Sequence, residues 1–381
     1  GPIGSVPRCR HMRSTFDSKM AILKSRIHVK SLSMLEIRGK NAWKNCGATM
    51  REPLLRNFLS NTDWAQALQS PLAGDASFRR YIRLSQNDGE RAMLMDAPPP
   101  QEDVRPFIQV AERLLELGLS APRIMARDVE AGFLLLEDFG DDTYTRLLKN
   151  GADELELYQL ATDTLIELHR RYSTDSEIPP YDDGRLLDEA ALLVDWYLPA
   201  IRGRDTPAAT RDTYLQLWQD VLQTARDVPD SLILRDYHVD NLMRLSDRNG
   251  VAACGLLDFQ DAVIGPVTYD LVSLFEDARR DVSAELATTL TARYLDAFPE
   301  IDRQAFGRSY AVLGAQRSAK IIGIFTRLDR RDGKPVYLEH IPRVFNWLEG
   351  DLAHPVLKEL QAWFTAEIPP AKRVIPESAN Q

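Results

Sequence analysis

Three short apolar segments interrupt a helical pattern in the second half of the chain. Leucines at helical spacing begin near residue 153 and recur over 186–197 and 210–225, which predicts a mostly α-helical region. The apolar segments are residues 232–234, 242–245 and 251–257. Polar loops separate them, and we interpret them as short β-strands within a helical lobe. Loops on such a rigid frame are a frequent place for functional residues.

The first part of the chain predicts a smaller, β-rich lobe. Its expected elements are a helix from Arg51 whose apolar face extends to Leu68, a hairpin of 77–84 and 91–96 around Asp88-Gly89, a helix over 104–117 and a buried strand at 133–136. Gly118 is placed to end the helix. We expect residues 51–140 to form this lobe and its hinge, 141–365 the helical lobe, and 366–381 a tail.

Composition excludes several classes of protein. Hydrophobic residues make up 44% of the 381 residues and charged residues 27%, as in ordinary globular proteins. No apolar run approaches the ~20 residues that a membrane-spanning helix needs. The net charge of −9 divides into +8 for residues 1–50 and −17 for the rest, and an acidic body argues against nucleic-acid binding. Cys254 is the one cysteine of the body, so we expect a reducing, cytoplasmic compartment rather than a disulfide framework.

Residues 1–50 are expected to be a leader or tag without a stable fold. They open with Gly-Pro-Ile-Gly-Ser, which is typical of a protease cleavage scar, and show no sustained hydrophobic periodicity. A basic targeting peptide is the alternative, because acids are scarce there and Arg8, Arg10, Arg13 and Lys19 suit one. No apolar secretory core follows these residues, which favours the first interpretation.

A set of polar residues follows the apolar segments at a distinctive spacing. Asp236 and Asn241 lie five positions apart in one loop, and Asp258 follows the next strand. Phosphoryl transfer needs a carboxylate to orient the attacking hydroxyl, and an amide oxygen and a second carboxylate to hold magnesium on the nucleotide phosphates. The alternative is that these are turn and strand-capping residues. No serine or cysteine nucleophile accompanies His238, which makes hydrolase chemistry unattractive.

These residues resemble the aminoglycoside-phosphotransferase and choline-kinase superfamily. The family loop is His-Gly-Asp, four residues and Asn, and this chain has Leu-Arg-Asp, four residues and Asn, followed by Leu-Asp-Phe-Gln-Asp. The resemblance implies an α+β, bilobal, protein-kinase-like fold with a small β-rich N-lobe and a larger, mostly helical C-lobe. It also implies ATP and Mg²⁺ as cofactors, Asp236 as the catalytic carboxylate, and Asn241 and Asp258 as magnesium ligands. Asp270 is expected to support the catalytic loop.

The N-lobe departs from the family pattern at one position. Gly74 and Ser77 belong to a phrase that resembles the phosphate-facing hairpin, but the lysine expected on the third strand is absent from residues 91–96. Arg80 or Arg83 is our candidate for the missing charge, although both also suit solvated strand positions. ATP is expected in the cleft near Leu136–Gly140, with Glu137 and Phe139 at the nucleotide.

Longer phrases resemble the bacterial anomeric N-acetylmuramate/N-acetylglucosamine kinases of cell-wall recycling. They are residues 74–81, 95–99, 234–243, Gln316 and 322–328, within a resemblance over about 54–365. This implies phosphate transfer to the C1 hydroxyl of an amino sugar by what we expect to be a monomer. For the acceptor we select His238, together with Arg327 and Arg331 in a short polar stretch that we place after a helix ending in the apolar residues 321–325. Arginine binds carboxylates in a bidentate manner. Arg317 and Lys320, on that preceding helix, are weaker candidates. His238 otherwise supports the loop, and the arginines otherwise form a solvated run with Asp329 and Asp332.

Two alternatives remain open at this point. One is a kinase for another small hydroxylated substrate, such as an aminoglycoside, choline or a thiosugar, for which an acidic acceptor pocket is expected if the substrate is cationic. The other is a catalytically silent nucleotide-binding or scaffold module, which the missing lysine permits and the intact Asp236, Asn241 and Asp258 oppose.

Overall fold

The computed structural model describes residues 51–72, 78–173 and 177–378. The chain divides into two compact units, 1–57 and 58–381. The first unit is described only at 51–57, which belong to helix α1 over residues 51–60. The predicted leader at 1–50 lies outside the described residues. In the part of the chain that is described, no helix combines the length and apolarity needed to cross a membrane.

A five-stranded antiparallel sheet dominates the start of the second unit. Its strands are β1 (Leu68–Pro71), β2 (Arg80–Ser85), β3 (Arg91–Asp96), β4 (Ile124–Asp128) and β5 (Phe133–Glu137), in the order β1-β2-β3-β5-β4. The predicted hairpin is confirmed: Arg80 lies opposite Asp96, and Ser85 opposite Arg91. Gly89, with φ 93°, makes its turn in the left-handed conformation that glycine favours. Helix α2 (Arg105–Glu116) follows, and Gly118 (φ 75°) lies just beyond its end.

The rest of the second unit is mostly helical. Its α-helices are α3 (Tyr144–Lys149), α4 (Glu154–Arg171), α5 (Asp183–Leu192), α6 (Leu198–Arg202), α7 (Ala208–Leu222), α8 (Thr268–Phe275), α9 (Ala284–Ala297), α10 (Arg303–Asp332), α11 (Ile341–Leu352) and α12 (Lys358–Glu367). The same region contains a π-helical turn at Leu193–Tyr197 and 3₁₀ turns at Gln223–Arg226, Gly250–Ala253, Pro335–His340, Pro355–Leu357 and Pro370–Lys372.

Two small antiparallel sheets carry the loops of interest. Strand β6 (Asp230–Ile233) pairs with β9 (Val263–Pro266), and β7 (Leu242–Arg244) pairs with β8 (Cys254–Leu256). The predicted strand at 251–257 is wrong in its first half, because Gly250 takes φ 57° and starts a 3₁₀ turn. The strand begins only at Cys254, and its buried residues join the core.

The predicted extension of the first helix to Leu68 is also wrong. The helix ends at residue 60, and Leu68 begins the exposed edge strand β1, where its side chain is 71% exposed. The fold class is confirmed, because a sheet-rich N-terminal region precedes a mostly helical C-terminal part. We call these regions the N-lobe (58–140) and the C-lobe (141–378). Their boundary near residue 140 and the tail boundary at 366 stay predictions.

Candidate active site

The loop at 234–241 is held by a buried carboxylate. Asp270, on α8, is fully buried and accepts hydrogen bonds from the backbone N–H groups of Leu234 (2.7 Å) and Arg235 (2.8 Å). Burial raises the pKa of Asp270 to about 7 against the lowering effect of these two bonds. Arg235 takes φ 69°, an uncommon conformation for a residue with a side chain. The two hydrogen bonds to Asp270 therefore hold the 234–241 loop in a strained backbone conformation.

Asp236 lies at the turn of this loop and is partly exposed. Burial acts to raise its pKa, but the positive charges of Lys320, Arg317 and Arg235 outweigh burial and leave the pKa lowered. The carboxylate is thus ionised at neutral pH. An ionised, positioned carboxylate can orient a hydroxyl group and receive its proton.

Asn241 and Asp258 are brought together by the β7–β8 pairing. The Asn241 amide nitrogen donates to the carbonyl oxygen of Asp236 (2.9 Å), and the backbone oxygen of Asn241 accepts from the N–H of Leu257 (3.0 Å). Asp258 follows directly, with φ 56°. Its neighbour Phe259 stacks on Phe107 of α2, with ring centroids 4.9 Å apart. The register and this stacking place the Asp258 carboxyl beside the catalytic loop.

The donor set fits a hard divalent cation. The Nδ2 atom of Asn241 is already a donor to Asp236, which directs its Oδ1 oxygen elsewhere, and Asp258 supplies a partly exposed carboxylate. Magnesium binds through a few such oxygens and keeps its remaining positions for water and phosphate. Burial raises the pKa of Asp258 and Asp236 adds to the rise, so a cation at this position would favour its ionised form.

His238 is buried next to Asn241. Its Nε2 lies 3.5 Å from Asn241 Nδ2, and its Nδ1 is buried with no hydrogen-bond partner among the described residues. Burial is the largest influence on its pKa, which is lowered, so the ring is neutral at pH 7. This position suits support of the loop, and a direct contact with an acceptor stays a prediction.

The predicted nucleotide residues have other partners. Arg80 pairs with the buried carboxylate of Asp96, and Arg83 binds Asp138 and Asp141. Glu137 pairs with Arg123 and Arg248. The ring of Phe139 lies under Arg248 and against Gly255, where a Cβ would come within 2.9 Å of it. Gly74 and Ser77 lie outside the described residues.

The predicted acceptor arginines lie on helix α10, not in a polar stretch after it. Helix α10 runs for 30 residues to Asp332 and stops at Gly333, whose φ is 66°. Arg331 pairs with Asp332. The Nε of the half-buried Arg327 has no hydrogen-bond partner in the described part of the chain, and burial lowers the pKa of this residue. A contact of Arg327 with an anionic acceptor stays a prediction.

Two further residues lie near the 234–241 loop: Glu189, which was missed in the sequence, and Lys320, which was a weaker acceptor candidate. Glu189, on α5, binds the guanidinium of Arg235, accepts from Tyr181 and lies 3.3 Å from the Nζ of Lys320. Lys320 is buried on α10, and of the charges that lower the pKa of Asp236, that of Lys320 has the largest effect. Lys320 and Arg327 are seven residues apart, which places them on one face of α10 about 10 Å apart along its axis.

Comparison with known proteins gives a family and a fold. Residues 69–305, more than half of the chain, match the phosphotransferase enzyme family. An N-acetylmuramate/N-acetylglucosamine kinase of Caulobacter vibrioides is 37% identical over 84% of this chain and 97% of its own length. One of Pseudomonas aeruginosa is 40% identical over 76% of this chain and 86% of its own. A crystal structure of an ADP-bound aminoglycoside phosphotransferase, APH(2'')-Ib, shares the fold, with a TM-score of 0.53 and 14% identity over 78% of this chain and 97% of that one.

Proposed function

Because the chain belongs to the phosphotransferase enzyme family, we propose that it transfers the γ-phosphate of ATP to the anomeric hydroxyl of N-acetylmuramate and N-acetylglucosamine. The observation that carries the proposal is the 37% identity to an N-acetylmuramate/N-acetylglucosamine kinase over 97% of that kinase's length. The products are sugar 1-phosphates. We further propose that the enzyme acts as a cytoplasmic monomer in peptidoglycan recycling.

We propose a role for each of four residues of the site. Asp236 orients the acceptor hydroxyl and takes its proton as the oxygen attacks the γ-phosphorus. Asn241 and Asp258 hold magnesium, which neutralises charge on the phosphate oxygens when it is bound. Asp270 keeps the backbone of the loop in the conformation that presents Asp236. The positioned groups thus supply orientation and electrostatic stabilisation, the main contributions to phosphoryl transfer.

An ADP-release assay with an acceptor panel tests the proposal. Wild-type protein with MgATP is expected to release ADP with N-acetylmuramate and N-acetylglucosamine, and not with kanamycin or choline. Turnover only with kanamycin or choline would replace the acceptor while the catalytic residues remain. If no acceptor is used and ATP still binds, the silent-module alternative gains support.

Arg327 is proposed to bind the lactyl carboxylate of N-acetylmuramate. Arg327→Ala is expected to lower kcat/KM for N-acetylmuramate by about 10-fold or more, the usual value of a charge-assisted hydrogen bond. N-acetylglucosamine has no such carboxylate, so its kcat/KM should change little. Arg330→Ala is a matched control, since Arg330 binds the backbone oxygen of Glu377 instead. An equal loss with both sugars removes the carboxylate role from Arg327.

Glu189 is proposed to position the catalytic loop through Arg235. Glu189→Gln removes one negative charge between Arg235 and Lys320. The carboxylate of Asp236 should then move from its position, and kcat should fall by roughly 10-fold or more. The KM for ATP should change less. Steady-state kinetics measure both constants. Glu367→Gln is the control, because Glu367 forms an ion pair of the same kind with Arg202, outside the catalytic loop. A normal kcat in Glu189→Gln contradicts the positioning role.

A further inference from the structure

One N-lobe arginine reaches the metal-site candidate of the C-lobe. Arg79 directly precedes β2, and its Nη1 lies 3.9 Å from the Oδ1 of Asp258. Its Nε lies 3.4 Å from the Oε2 of Glu102, and its side chain is only 14% exposed. That Nε is buried with no hydrogen-bond partner among the residues that the structure describes. The guanidinium is therefore placed between two carboxylates, one from each lobe.

The position of Arg79 along the strand explains its direction. Side chains alternate between the two faces of a strand, so Arg79, Tyr81 and Arg83 share one face and Arg80 points to the other. Tyr81 is largely buried beside Arg79: burial raises its pKa to about 12, and the charges of Arg79, Asp258 and Glu102 all act on it. The face that carries Arg79 therefore meets the C-lobe at Asp258.

Arg80 and Arg83 are occupied elsewhere. Arg80 holds the fully buried Asp96 across the hairpin, where the two residues are register partners. Arg83 lies two positions further along the strand from Arg79 and binds Asp138, Asp141 and the backbone oxygen of Gly140, at the predicted hinge. Neither arginine has a recorded contact with Asn241 or Asp258 among the described residues. Among the described N-lobe residues, Arg79 is the arginine whose guanidinium lies near Asp258, the proposed magnesium ligand.

We propose that Arg79 binds the terminal phosphates of the nucleotide and supplies the charge of the missing third-strand lysine, with Glu102 as its positioning partner. The inference rests on the proposed use of ATP at this site. A guanidinium presents a fixed fork of donors that matches phosphate oxygens, and Glu102 fixes its orientation. Glu102 also accepts a hydrogen bond from the backbone N–H of Phe78 (3.0 Å). This bond holds the Glu102 carboxylate next to the residue that precedes Arg79.

Calorimetric titration with two ligands tests the inference without any acceptor sugar. Arg79→Met should weaken MgATP binding by about 10- to 100-fold, because a charge-assisted bond to phosphate is lost. Adenosine has no phosphate, so its affinity should be unchanged in the same variant. Glu102→Gln should weaken MgATP binding to a smaller extent, and Arg79→Lys should restore part of the loss.

Arg80→Met and Arg83→Met are the matched controls on the same strand, and neither should lose MgATP affinity selectively over adenosine. Unchanged MgATP affinity in Arg79→Met, or equal weakening of MgATP and adenosine, overturns the inference. Selective loss of MgATP in a protein that phosphorylates none of the tested sugars would support Arg79 while the proposed acceptor fails. A wild-type protein without affinity for MgATP would remove both proposals.

Discussion

Replacing Asp236 by asparagine is expected to lower kcat for N-acetylmuramate and N-acetylglucosamine by roughly 10² to 10⁴, the usual contribution of a positioned general base. The amide keeps the shape of the carboxylate but cannot accept the hydroxyl proton. Lys320, Arg317 and Arg235 act on Asp236 in the native protein to lower its pKa, so a negative charge is lost where cations are concentrated. Steady-state ADP release measures kcat, and KM for ATP is expected to change much less.

Asp240→Asn provides the control within the same loop. The Asp240 carboxylate binds Thr145 and lies 3.3 Å from Arg279, so it faces away from Asn241 and Asp258. This variant should retain most of its activity. A near-normal kcat in Asp236→Asn, or an equal loss in both variants, contradicts the role of Asp236.

Asp258→Asn is expected to lower kcat on the order of 10²-fold at physiological magnesium concentration. The variant is expected to bind magnesium more weakly, and bound magnesium stabilises the charge of the transition state by several kcal/mol. The magnesium concentration needed for half-maximal rate should rise at the same time. High magnesium should therefore recover part of the lost rate. A magnesium titration of turnover separates this outcome from simple misfolding, which added metal would not repair.

Asp261→Asn is the matched control for Asp258. Asp261 lies three residues further along the same segment and is exposed. Its loss should leave the magnesium dependence unchanged. If Asp258→Asn has the same half-saturating magnesium concentration as the wild type, Asp258 is not a metal ligand.

The catalytic spacing was predictable because it depends on local structure. Asp236 and Asn241 belong to one short loop, and Asp258 follows the strand that pairs with β7, so one loop and one local strand pair bring the three residues together. The hairpin of β2 and β3 was predictable for the same reason, from its Asp-Gly turn. Their predicted roles remain to be tested by the variants above.

The contacts of Arg79, Glu189 and Lys320 depend on the tertiary fold instead. Their partners come from distant elements: Arg79 meets Asp258 across the cleft, and Glu189 joins α5 to the catalytic loop and to α10. No spacing rule for a helix or strand predicts such pairs. Arg80 and Arg83 were selected from the same strand, but the hairpin register directs Arg80 to Asp96, and Arg83 lies further along the strand, at the predicted hinge.

Three local predictions failed where a weak sequence signal competed with a stronger one. Leu68 continued the apolar pattern of α1, yet the chain there pairs with β2 as an exposed edge strand. Val251 was assigned to a strand, but Gly250, with φ 57°, starts a 3₁₀ turn that includes Val251. Arg327 was placed after the helix because of its polar neighbours, whereas the α10 pattern continues until Gly333 supplies a left-handed stop.

The most direct test of the account is the position of the transferred phosphate. Wild-type enzyme is incubated with MgATP and N-acetylmuramate, and the product is examined by two-dimensional ¹H–³¹P NMR. The account predicts a phosphate-monoester phosphorus coupled to the anomeric proton of the sugar, with one ADP formed for each sugar consumed. A phosphorus without coupling to the anomeric proton, or ADP formed together with free phosphate and unchanged sugar, would contradict it.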